Sequence, residues 1–328
     1  MTRNAIIKAA LAIALAAAGA APAQEAWKPT RAVTLIAPNA PGGTSDRTAR
    51  ELQRLFQQQK LVDVTVNVVN RPGGGGTLAL NQLNAAAGDP HVLLITTSAV
   101  ISNHITGLTS YNYTEFSPIA LLLGDNYGVN VRANSPIRDA RDMLDLVRKN
   151  PEALTFGMSS IGGTNHTSLV AALKKGGVDV RRVKMVTFAG GGVISLQLLG
   201  GHVDVINTGL GNMVDHLVQG RMRTLAITGP RRMGGAFADV PTWKEVGVDV
   251  SLIGWRGILG AKGLSPAQVA YWDDVFRRVV QTEDWKADLA KNYWLDIYAN
   301  AAGMRKWLDS ENAEVRALLT ELGMAKIQ

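Results

Sequence analysis

Short runs of apolar, often β-branched residues alternate along this 328-residue chain with longer stretches whose apolar positions recur at helical spacing. That alternation predicts βα units and a mainly parallel sheet covered on both faces. Strands are expected at 33–37, 64–69 and 92–96, with helices at 44–59 and 76–86. After Pro118 two further β-like runs, 119–123 and 127–131, flank Gly124-Asp125-Asn126, which reads as a turn or hinge. Alternation then resumes, with helices at 137–149, 164–174, 191–199 and 213–218 and strands at 154–157, 183–188, 203–207 and 223–228. A last stretch runs from a strand at 251–259 into helices at 266–281, 284–291 and 301–322. It is too short to bury a core of its own, and packing it back on the first unit solves that problem. The expected fold is α/β with two lobes, each a mainly parallel sheet flanked by helices, joined by two crossing segments. Residues 24–123 and 248–328 make the first lobe and 124–247 the second. No internal repeat is evident.

The first residues change the picture of where the chain works. Arg3 and Lys8 precede an apolar run at 9–20, and Ala21-Pro22-Ala23 follows as a small-residue cleavage site. This predicts an export signal peptide over 1–23 and a mature chain starting near Gln24, in the periplasm. With no cysteine in the sequence, lipoprotein attachment, disulfides and thiolate metal sites are excluded. The formal net charge is +7, of which Arg3 and Lys8 supply two. The remaining excess is scattered in pairs such as Arg181-Arg182, Arg231-Arg232 and Arg277-Arg278, without the basic stripe and interleaved aromatics that nucleic acid requires. A mild positive field favours small anions.

Candidate chemistry gathers at three glycine turns, each leading from a strand into a helix. The first holds Gly42, Gly43, Thr44, Ser45 and Asp46, the second Gly162, Gly163, Thr164, Asn165 and His166, and the third Gly190 and Gly191. Glycine lets the backbone approach a ligand, and the first N–H groups of a helix are unsatisfied donors at its positive end, so each turn is an anion cradle. The alternative is an ordinary helix start, with Thr44 or Ser45 as N-cap. His166, in a first helical turn, is expected neutral. Thr97 and Ser98 end another strand and add hydroxyls, and Arg71 opens a glycine run, either as a partner for an acid or in a plain rim loop. Enzyme motifs fail: Gly157-Met158-Ser159-Ser160-Ile161 lacks the last glycine of a nucleophile elbow, no G-x-G-x-x-G or Walker lysine occurs, and the five histidines form no metal-ligand set. A hydrolase built from Ser159, His166 and a distant aspartate stays open as an alternative.

At these turns the chain resembles the substrate-binding receptors of tripartite tricarboxylate transporters, often called the Bug or TctC-like family. The resemblance covers nearly all of the mature chain. It rests on A-P-G-G-T-S-D at 40–46, N-R-P-G-G-G-G at 70–76, G-G-T-N-H at 162–166, L-L-G-G-H-V-D at 198–204, G-R-M-R-T-L-A-I-T at 220–228, D-V-P-T at 239–242 and G-W-R-G at 254–257. It implies a type II-like, Venus-flytrap periplasmic binding protein that is not an enzyme, carries no cofactor or metal, and is a monomer. It would close on a small carboxylate, a di- or tricarboxylate such as citrate or an aromatic acid, and deliver it to a two-component membrane permease; a ligand sensor for a membrane signalling partner would use the same cleft. By the same resemblance, Gly42 to Asp46 and Gly162 to His166 hold the carboxylate, Thr97, Ser98, Gly190 and Gly191 line the site, and Asp204 lies near the cleft floor. The chain departs from the family's pattern at Gly88-Asp89-Pro90-His91-Val92, where P-D-G-Y-T is common, and at Phe188-Ala189-Gly190-Gly191, where a tyrosine and often a lysine precede the glycines. The second departure bears on which acid is bound.

Overall fold

The computed structural model describes residues 27–159, 161–188 and 190–326. The signal peptide expected at 1–23 lies outside the described residues, as do Ser160 and Ala189 of two glycine turns. The first unit runs β1 (Val33–Ala37), α1 (Thr44–Gln58), β2 (Val66–Asn70), α2 (Thr77–Ala85), β3 (Val92–Thr96), α3 (Ala99–Ile105) and β4 (Ser117–Asp125). The second runs β5 (Tyr127–Arg132), α4 (Ala140–Lys149), β6 (Thr155–Met158), α5 (Thr164–Lys175), β7 (Lys184–Thr187), α6 (Gly191–Leu199), β8 (Val205–Gly209), α7 (Val214–Val218) and β9 (Met222–Ile227). The chain returns through β10 (Gly254–Gly260), α8 (Pro266–Val280), α9 (Glu283–Lys291), β11 (Trp294–Ala299) and α10 (Ala301–Glu321).

Two sheets result, ordered β11-β4-β10-β3-β1-β2 and β7-β6-β8-β5-β9. Both are mixed, with one strand direction prevailing in each: only β10 and β11 in the first sheet and β5 in the second run against it. β1 pairs parallel with β2 and β3, but β10 is antiparallel to β3 and β4, and β11 to β4. In the second sheet β6 is parallel to β7 and β8, while β5 is antiparallel to β8 and β9. The cause is the crossing chain: β4 runs toward the second lobe, and a strand that comes back from it must enter the first sheet head-on to β3 and β4. The expected Gly124-Asp125-Asn126 turn shrinks to Asn126, because β4 extends to Asp125 and β5 starts at Tyr127.

Period-two alternation explains why helices cover both faces. Leu35, Ile95 and Leu122 point to a core with Leu52, Phe56, Trp272, Phe276 and Trp285. Their neighbours Ile36, Leu94 and Leu121 point to the other face, against Leu80, Ile101, Trp255, Met304 and Leu308. The second sheet is built alike, with Phe156 and Val205 facing Leu169 and Leu173 on one side and Ile206 facing Ile194 and Leu198 on the other. Each such side chain contributes about 1.5–3 kcal/mol by leaving water. These buried layers hold the strand ends rigid, and the strand ends carry the cleft.

Candidate functional site

The first and second glycine turns have the same geometry. Gly42 and Gly162 have φ of +81° and +79°, a left-handed conformation that a Cβ would oppose. Gly43 and Gly163 then cap α1 and α5 with φ/ψ of −73°/164° and −72°/165°, and no side chain caps either helix. The alternative of a Thr44 or Ser45 cap is therefore not realised, and the first N–H groups of both helices lack intrahelical acceptors. Four residues after each left-handed glycine a side chain staples the turn: Asp46 Oδ2 accepts from Gly42 N at 2.9 Å, and His166 Nδ1 accepts from Gly162 N at 3.1 Å. Asp46 also accepts from Arg50 Nε at 3.0 Å and from Asn70 Nδ2 at 2.9 Å. Burial works to raise its carboxyl, yet the hydrogen bonds from Arg50, Gly42 and Asn70 hold it below the ordinary range. Burial pushes His166 down to about 4, so the ring is neutral, with its proton on Nε2 because Nδ1 accepts.

Both turns face one cavity of about 280 Å³ between the lobes. Asn39, Ser45, Thr97, Ser98, the glycines Gly73, Gly74, Gly75 and Gly76, and Arg256 line it from the first lobe. Tyr127, Ser159, Gly163, Thr164, Asn165, Thr187 and Phe188 line it from the second. A recess of about 30 Å³ shares Asn39, Tyr127, Ser159, Asn165 and Arg256 with it and adds Thr44, Gly191, Thr208 and Asn212. Of the residues singled out from sequence, Ser45, Thr97, Ser98, Gly163, Thr164 and Asn165 line the main cavity, and Thr44 and Gly191 the recess. Gly42, Gly43, Asp46, Gly162 and His166 shape the turns behind it, and Gly190, with φ of +124°, does the same for the third. The Ser45 hydroxyl is buried with no protein partner.

Asp204 is a correction. It precedes β8, where its carboxylate accepts from Thr155 N at 2.8 Å, at the entrance of β6 and β8. The cavity is at their exits, at Ser159 and Thr208, so Asp204 pins strand starts and does not approach the cleft floor. Arg71 also stays off the cavity, bonded to Gln82 Oε1 at 2.7 Å.

The floor holds residues that sequence reasoning passed over. Arg256 Nη1 donates to Asp125 Oδ2 at 2.9 Å, and both are buried. Full burial pushes the Asp125 carboxyl up, against the charges of Arg256 and Arg47. Arg47, on α1, crosses to the second lobe, with Nη1 on Gly211 O at 3.1 Å and Nη2 on Asn212 Oδ1 at 2.9 Å. Ser98 Oγ and Thr164 Oγ1, 2.7 Å apart, join the lobes at the other side. Ligand sites in open α/β sheets lie beyond strand carboxyl ends, which finds the βα turns. Tyr127 and Arg256 reach the same cleft from the starts of the antiparallel strands β5 and β10, where that rule does not look. The one available signal was Arg256 itself, a charge inside the apolar run Gly254-Trp255-Arg256-Gly257-Ile258-Leu259.

Two α/β lobes, joined twice and closed over a polar cavity rimmed by helix N-termini, have the architecture of a solute-binding protein. The chain matches the model of the tripartite tricarboxylate transporter family receptor over residues 30–324, and belongs to that family of periplasmic solute-binding receptors. It is 29% identical over 332 residues to the UPF0065 protein in the gbd 5′ region of Cupriavidus necator, covering 99% of both chains. Its fold is similar to that of the periplasmic binding protein BugD, with a TM-score of 0.83 and 22% identity over 90% of this chain and 99% of that one. It is also similar to MatC of Rhodopseudomonas palustris with bound malate, with a TM-score of 0.81 and 23% identity over 89% of this chain and 99% of that one.

Proposed function

We propose that this receptor captures a small carboxylate between its lobes and delivers it to a two-component membrane permease of the tripartite tricarboxylate type. The observation that carries the reading is the matched pair of uncapped helix N-termini, at Thr44 and Thr164, brought from opposite lobes to one cavity. Such ends attract an anion without a desolvated counter-charge of their own. The carboxylate accepts from the backbone at Thr44, Ser45, Thr164 and Asn165 and from the free Ser45 hydroxyl, while Thr97 and Ser98 line its flank. Asp46 and His166 hold the turns. The lobes are 24–123 with 248–328, and 124–247, hinged near Asn126 and near residues 246–251, and the ligand favours the closed form because only that form offers both turns at once. Export through the signal peptide at 1–23 places the mature protein in the periplasm.

The hydrolase alternative loses support from the geometry. The lone pair of His166 is spent on Gly162, and no hydrogen bond joins Ser159 to His166 among the described residues.

A thermal-unfolding screen of the mature protein against organic acids tests the reading. An acid at about a hundred times its dissociation constant adds about 2.7 kcal/mol to stability. Ser45→Ala should leave the ligand-free protein as stable as before, since the hydroxyl has no protein partner, and should weaken the acid about tenfold. A flat panel, on protein verified free of copurified ligand, would overturn the carboxylate assignment.

A further inference from the structure

Resting on the carboxylate reading of the cleft, we infer that the acid bound here is a monocarboxylate with an apolar body, alkyl or aryl, whose body runs outward into a second chamber at the cleft mouth. That chamber, of about 520 Å³, shares Gly75, Ser159 and Thr187 with the inner cavity, so the two lie side by side. Its own walls are Leu108 and Met324 from the first lobe and Ile161 from the second. Leu108 and Ile161 are 52% and 37% exposed, so both rims keep an apolar side chain in water around one concavity that leads to the carboxylate site. Phe188, from the second lobe, continues the apolar wall inward.

Charge points the same way. Among the described residues Arg256 is the one charged residue lining the inner cavity, and its charge already meets Asp125 at 2.9 Å. Arg47, behind the floor, shares its charge among Asp125, Asp288 and Asp215, so it leaves no cation over for a ligand. The helix N-termini at Thr44 and Thr164, which the proposed carboxylate bridges, are then what the cavity offers an anion. A second carboxylate inside would have no cation to meet it and would compete with the first for the same helix N-termini. Lys326, in the outer chamber, is exposed, and an ion pair there is screened by solvent. A compact polar acid therefore leaves the outer chamber unused, while an apolar body removes the surfaces of Leu108, Ile161 and Met324 from water.

Calorimetric titration with hexanoate and phenylacetate, against malate, citrate and adipate, tests this. The two monocarboxylates should bind about tenfold or more tighter than malate and citrate, and hexanoate tighter than adipate of the same carbon count. Leu108→Asn with Ile161→Asn changes exposed positions, so the ligand-free melting temperature should not move. Hexanoate affinity should fall about tenfold while propionate affinity stays; if the pair misfolds, Leu108→Asn alone gives the same readout. Tighter binding of malate or citrate would sink the inference and leave the carboxylate reading standing. Adipate matching hexanoate would mean that the outer chamber reads charge, again overturning it. The variant keeping its hexanoate affinity but losing uptake would make the rims a permease contact instead of a ligand wall. Silence from every acid would sink both readings.

Discussion

His166 and Asp46 occupy equivalent places, and their titrations pull in separate pH windows. The folded His166 pKa, about 4, lies below its ordinary value of 6.5, so between those values the unfolded chain holds more protons than the folded one. Stability then falls as pH falls through that window, by on the order of 3 kcal/mol in all, and this contribution stops changing below it. His166→Asn, whose amide oxygen can accept from Gly162, should remove the effect; denaturant unfolding at about pH 7 and about pH 4.5 measures it, and a variant with the same pH slope as the parent would refute the assignment. Asp46 has a depressed pKa, so its contribution is present above the ordinary carboxylate range and is lost as pH falls through the folded value, further into acid. Sequence placed both residues at the right turns. It did not show that their acceptors face back onto Gly42 and Gly162, because an i, i+4 bond of that kind needs the left-handed glycine, and φ is not written in the residue order.

Helix α1 does two things one turn apart: its N-terminus meets the cavity, and Arg47 fastens it to Gly211 and Asn212 of the other lobe. Asn212 in turn lies 3.4 Å from Thr44 Oγ1 and 3.0 Å from Thr208 Oγ1, so the ligand turn and the closing contact share partners. Arg47→Met removes both bonds and strands two acceptors, at a cost of about 1–3 kcal/mol to the closed form. Ligand affinity should fall about tenfold or more, with the loss in the dissociation rate; stopped-flow release that stays at the parental rate would show that Arg47 does not hold the closed state. Most elements were legible from hydrophobic period and glycine placement, α6 to the residue. β11 was missed because Trp294-Leu295-Asp296-Ile297-Tyr298-Ala299 is a short edge strand between two helices, and α3 because its seven residues show too little of a helical repeat.

The described lobes meet in a closed arrangement. Ser98 touches Thr164, Arg47 reaches Gly211, Lys174 pairs with Glu321, and Ala236 N donates to Tyr293 Oη at 2.9 Å. Most of these are single polar contacts near solvent, each worth about 1 kcal/mol or less, so the ligand-free protein should populate open forms. Small-angle scattering should report a smaller radius of gyration with saturating acid than without it, and identical profiles would mean that closure is not coupled to binding. Sequence by itself determined the α/β class, the two-lobe division expected from length and pattern, and the three glycine turns, because hydrophobic period and left-handed glycines are local properties. Tertiary structure alone decided the mixed sheets, the removal of Asp204 from the cleft and the arrival of Tyr127 and Arg256 on its floor, with Asp125 buried behind Arg256. Those follow from the directions in which β5, β8 and β10 enter their sheets, and strand direction is settled by packing between residues far apart in the chain, such as Asp125 and Arg256.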